Sequence, residues 1–299
     1  KEALGIQIRP DGCMDDQVQS LREKAVAWSD ALRTKRLQPS EAWYCLNSTI
    51  MKTIEYPLMA TTISRKDMTY IMAPILEAAL KKSKVQSKMP RKLVYGTLRS
   101  RGMGIHDPSN TQLIEHLQSI QRHVFRSTPS ADLHLENMEL IQCHIGSQTP
   151  FWDLPYQDYQ GLVPEGWMQF TWEALSESPL SLKGPLVTTP PQRVGDVHIM
   201  DAFRAKNYDK KTQIILNNCR LALFATTLSH ICTADGKSIS PTVWSSHLPI
   251  RIQPKGWPNV FNPSPADWAL WNAKLRETFL HPHTHHARLR QPLGQWLHQ

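Results

Sequence analysis

The chain has 299 residues, with 34 Lys plus Arg against 26 Asp plus Glu, 40% hydrophobic residues and a formal net charge of +8. That balance excludes a disordered chain, and the length implies about two domains at roughly 100 to 200 residues each. The longest apolar stretch without a charged residue, Leu221 to Ala234, is shorter than the roughly 18 to 20 residues of a spanning helix, so no membrane partner is expected.

The opening Lys1-Glu2-Ala3-Leu4-Gly5 has no initiator Met and no apolar signal segment, and the chain reads as an excised piece of something longer. Leu4, Ile6 and Ile8 alternate with other residues up to Pro10-Asp11-Gly12, which predicts a strand running into a turn. From Asp15 the period changes. Val18, Leu21, Ala25, Trp28 and Leu32 mark an amphipathic helix that ends in the basic run Arg33 to Arg36. Pro39-Ser40-Glu41 opens a second helix carrying Trp43, Leu46, Ile50 and Ile54, and Tyr56-Pro57 ends it. A third begins at Ser64, with Asp67 three residues on, and carries Met68, Ile71, Met72, Ile75, Leu76, Ala79 and Leu80 on one face; Pro74 should kink it.

Between Ala78 and His106 come Lys81, Lys82, Lys84, Lys88, Arg91, Lys92, Arg99 and Arg101, with no acid before Asp107. Gly96, Gly102 and Gly104 predict turns or close backbone approach. Further helices are predicted over Ser109 to Phe125, facing inward through Leu113, Leu117, Ile120 and Val124, and over Ala131 to Gln142. Residues 146–164 are aromatic and Pro-rich and suggest a linker; helical patterns follow at Glu165 to Glu177, Ile199 to Ala205 and Lys210 to Leu228. Ala234-Asp235-Gly236 predicts a hairpin-like turn, and Ser264-Pro265 opens a helix with Trp268, Trp271, Leu275 and Phe279. The expected fold is mainly α: a β element and thumb-like helical bundle over 1–145, the linker, a second mostly helical module over 165–280, and a loose basic, His-rich tail over 281–299.

The order of these signals resembles the region after the palm in reverse transcriptases of non-LTR-type retroelements. The residues that carry it are Leu4-Gly5, Ser40-Glu41-Ala42-Trp43, Tyr56-Pro57-Leu58, Thr61-Thr62-Ile63-Ser64, Pro90 to Gly96 and Gly102-Met103-Gly104-Ile105. Beyond residue 125 it continues more loosely through Gly195-Asp196, Leu216 to Arg220, Leu228 to Ile231, Asp235-Gly236 and Leu293 to Trp296. The resemblance implies that Leu4 and Gly5 occupy a primer-grip position and that the three helices after them form a thumb around a template-primer duplex of RNA, DNA or both. It also implies a palm upstream in the same polypeptide, holding the Mg²⁺. The family's Tyr-x-Asp-Asp hairpin is absent, and Asp15-Asp16, at a helix start, is the only adjacent acidic pair. No catalytic residue, metal ligand or cofactor is therefore assigned to this segment.

The residue chemistry agrees with holding rather than reacting. Each of the eight window cations that meets a phosphate releases counterions and adds affinity without reading sequence. Most of the ten tryptophans fall on core stripes; Trp152 and Trp167, in irregular sequence, remain as stacking platforms. His281, His283, His285 and His286 lack Cys partners and a closed metal-ligand spacing. The five cysteines form no C-x-x-C and no even framework, which suggests reduced thiols and a nuclear or cytoplasmic protein. Thr233 to Gly236 invites comparison with a ribonuclease H carboxylate but is adequately explained by a hairpin. The rival reading is a helical scaffold or protein-interaction module with no nucleic-acid role.

Overall fold

Strand β1 (Glu2–Ala3) pairs antiparallel with β2 (Ile6–Gln7), placing Glu2 opposite Gln7 and Ala3 opposite Ile6. Leu4 and Gly5 are thus the two turn residues, and both have positive φ, 51° and 78°. The strand expected through Leu4 is a tight hairpin instead, because two central residues with φ > 0 give the turn whose twist matches paired strands. The hairpin is fixed to the helices by the buried Gln17, whose Oε1 accepts the Gln7 N–H at 2.7 Å. The protein is seen in a computed structural model that describes residues 2–7, 9–184, 187–244, 253–259, 262–282 and 287–297.

All three expected N-terminal helices are present: α1 (Asp15–Thr34); α2 (Pro39–Cys45), which runs through a π-helical turn at Leu46–Ile50 into α3 (Met51–Glu55); and α4 (Arg65–Lys82). Ser64 caps α4 by accepting the Asp67 N–H on Oγ at 3.1 Å. The whole expected stripe of α4 is buried, and it packs on α1 and α2 with Leu21, Ala25, Leu46, Ile50 and Ile54. Helix α5 (Arg91–Val94) is short, and α6 (Pro108–Phe125) buries Leu113 and Ile120 of its expected face together with polar groups: Gln112 Nε2 donates to Ile63 O at 3.1 Å while its Oε1 accepts the Ile63 N–H at 3.2 Å. The chain divides into two compact units, residues 1–122 and 123–299, so the division falls near the end of α6.

The second unit contains α7 (Pro129–Ile145), α8 (Tyr156–Tyr159), α9 (Trp167–Ser176), α10 (Ile199–Arg204), α11 (Lys210–Ala222) and α12 (Pro265–Phe279). The aromatic stretch over 146–164 is not a linker between units. Phe151, Tyr156 and Tyr159 are buried around Trp172 of α9, at ring distances of 5.2 to 5.8 Å. Helix α11 stops at Ala222, short of the expected Leu228. Phe224 adopts φ 51°, and the Ala225 N–H closes back on Arg220 O at 3.2 Å. The fully buried Arg220 has no carboxylate partner among the described residues. Its guanidinium donates to Cys143 O, His144 O and Ala225 O and to Asn217 Oδ1, placing a cation at the carbonyl end of α7, where the helix dipole favours it. Burial lowers its pKa to about 10, so it stays charged.

Of the tail over 281–299, expected to be loose, the described part 287–297 is folded in. Leu289 and Leu293 are buried, Leu280 bridges Leu289, and Ser238 bridges Arg288. Arg193 gathers this end of the chain: Nε donates to Gly294 O at 2.9 Å, Nη1 to Ala234 O at 3.1 Å, and the guanidinium lies 4.7 Å over the Trp296 ring.

Candidate nucleic-acid interface

The basic window is built from the end of α4 onward. Lys81 and Lys82 occupy the last turn of α4, and Lys84 follows at φ 59° as the helix closes with Val85 N–H on Leu80 O at 2.8 Å. Lys88 lies in the turn before α5, Arg91 and Lys92 open α5, and Arg99 and Arg101 sit on the tip between Gly96 and Gly102. That tip is pinched at its base: a Cβ on Gly102 would lie 2.2 Å from the carbonyl of Gly96, and Gly104 N–H donates to Gly96 O at 2.8 Å. The glycines predicted for close backbone approach therefore serve that purpose.

Seven of the eight window cations are exposed, and none of the eight forms an ion pair among the described residues. Lys82 is the half-buried exception. Its Nζ donates to Lys35 O at 2.7 Å, at the carbonyl end of α1, so this cation has a structural partner. Arg91 and Lys92 also border a cleft of about 440 Å³. Its floor is the α4 stripe Met68, Met72 and Leu76, and its walls include Arg65, Tyr95 and Asp107. Burial, aided by Asp107, pushes the Tyr95 hydroxyl up to about 12, so it remains protonated and able to donate. Asp107 Oδ1 accepts the Ser109 N–H at 3.0 Å and organises the start of α6. Arg65 lies outside the charged window in sequence, and only its place at the first turn of α4 brings it to the same cleft.

The remaining candidates fare differently. Leu4 and Gly5 form an exposed hairpin tip, with Leu4 86% exposed. Trp152 is buried 4.1 Å from the Phe151 ring and is no stacking platform, whereas Trp167 is half-buried with its ring 5.4 Å from His134. Asp235 Oδ1 accepts from Thr233 Oγ1 at 2.6 Å and from Lys237 N–H at 3.0 Å, so it organises its turn. His283, His285 and His286 lie outside the described residues. Among the described residues no group of three or more His, Cys, Asp or Glu could hold a metal, all five cysteines are free thiols, and no helix is long and apolar enough to cross a membrane. No family model, curated protein or solved structure matches the chain.

Proposed function

We propose that this chain is a non-catalytic, nucleic-acid-holding segment of a retroelement RNA-directed DNA polymerase, gripping the template-primer duplex delivered by a palm that precedes it. The observation that carries the reading is the row of seven exposed cations from Lys81 to Arg101, without acidic partners among the described residues and displayed on a backbone fixed by the Gly96–Gly102 contact. Cations left without protein counterions can neutralise phosphates and release the counterions condensed on a nucleic acid, which favours a polyanion over a neutral protein face. The polymerase part of the reading rests on the resemblance carried by residues 1–125.

The test is anisotropy of a labelled RNA–DNA hybrid titrated with the chain from roughly 50 to 300 mM salt. A decline in log K of about two or more per decade of salt is the expected result. Binding that is absent or independent of salt would favour the scaffold reading.

A further inference from the structure

The cleft beside the cation row has a composition that the row does not explain. Along α4 the residues Arg65, Thr69, Met72, Ala73 and Leu76 recur at helical spacing and face the opening, with Arg91, Lys92 and Tyr95 across from them. The floor is apolar and carries two thioethers, which make favourable contacts with aromatic rings. The rim carries three cations against the single carboxylate of Asp107. None of Arg65, Arg91 and Lys92 has an ion-pair partner among the described residues. A volume of about 440 Å³ lies within the range of small-ligand pockets and is far too small for a duplex.

We propose that this cleft receives one unpaired nucleotide of the bound strand, its base against Met68, Met72 and Tyr95 and its phosphate between Arg65, Arg91 and Lys92. The inference rests on the nucleic-acid reading above and adds a place where the strand leaves the duplex. Arg91 and Lys92 belong to both the row and the cleft, so a backbone following the row arrives at the opening. An acidic peptide would satisfy the rim but would leave the methionine floor without a flat partner. A nucleotide satisfies both.

The experiment uses the full chain and one hairpin duplex in three forms: blunt, with a short single-stranded overhang, and with the same overhang made abasic. Each is titrated by anisotropy at fixed salt. The overhang should tighten binding about tenfold, within the range one stacked base supplies, and the abasic overhang should not. Ala73→Phe fills the cleft from an exposed helix position without changing charge. It should reduce the overhang complex to the affinity of the blunt one and leave blunt binding within about twofold, since the blunt duplex uses only the phosphate contacts of the row. Arg65→Gln, at the exposed start of α4, is the second variant and should lose most of the same gain.

An overhang that adds nothing, or a gain that survives both variants, overturns the proposal while salt-dependent blunt binding leaves the duplex reading intact. Loss of blunt binding in Ala73→Phe, with the fold verified by a thermal melt, overturns it too, because the cleft would then belong to the duplex path. Saturable binding of adenosine monophosphate without an overhang gain would make this a free-nucleotide site and overturn the strand assignment. No binding to any form defeats both readings.

Discussion

Arg22 of α1 donates from Nη1 to the main-chain carbonyl of Tyr70 in α4 and lies 4.2 Å above the Tyr70 ring. The carbonyl is available because Pro74, four residues on, has no N–H to offer it. The proline gap in α4 is thus filled from the helix packed against it, and α4 runs as one element from Arg65 to Lys82.

Arg22→Ala should therefore cost about 1 kcal/mol in a denaturant melt, the usual net worth of one hydrogen bond. In a Pro74→Ala background, where the helix regains its own N–H donor, the same substitution should cost less than half as much. Equal costs in the two backgrounds would mean that Arg22 contributes only through its packing on Tyr70.

Gly102→Ala should destabilise the first unit by about 1 to 3 kcal/mol, because the added methyl would meet the Gly96 main chain, which has little room to shift. Hydrogen exchange at the Gly104 amide, bonded to Gly96 O, should speed up in the same variant. Wild-type protection there would show that the tip adapts without opening.

Replacing Lys81, Lys84, Lys88 and Arg91 together by Gln should weaken duplex binding about equally for all sequences and flatten the salt slope by about two units. All four are exposed and without ion-pair partners among the described residues, so the melt should stay within about 0.5 kcal/mol per site. A normal melt with unchanged affinity and slope would favour the scaffold reading.

His116 of α6 is buried and donates from Nε2 to Leu58 O and Thr61 O, each at 3.0 Å. Burial lowers its pKa from 6.5 to about 4, against the smaller opposing pull of those two carbonyls. The unfolded chain then binds the proton more readily than the folded one. Stability is complete above about pH 6.5, falls as the pH drops through the window, and levels off below about pH 4, a total of up to about 3 kcal/mol. His144, in the second unit, is lowered to about 4 as well and acts in the same direction. The informative quantity is thus the difference between the wild type and His116→Gln, which should show a shallower acid limb in urea melts from pH 7 to pH 4. Parallel limbs would exclude His116 as a source.

Helix positions were legible because apolar spacing, the Ser64 and Ser264 caps and Pro39 act within a few residues of one another; the stripes of α1, α4 and α12 are buried much as their periodicity implies. The charged window was legible for the same reason, being contiguous in sequence. Polar groups that serve distant backbone were not. Gln112 and His116 look like solvent-facing residues on α6, yet they satisfy the main chain of Leu58, Thr61 and Ile63 some fifty residues away. Arg220 reads as one more surface cation until the end of α7 supplies its carbonyls. Arg65 joins the cleft because α4 and α5 face each other across it, and Leu4-Gly5 reads as strand by alternation although the turn needs its positive φ. Sequence by itself determined what depends on neighbours along the chain: the helices, their buried faces and the display of charge. Only the tertiary structure decided which buried donors and acceptors meet and which cations share a cavity, because those pairings depend on chain closure over long distances, which no local pattern records.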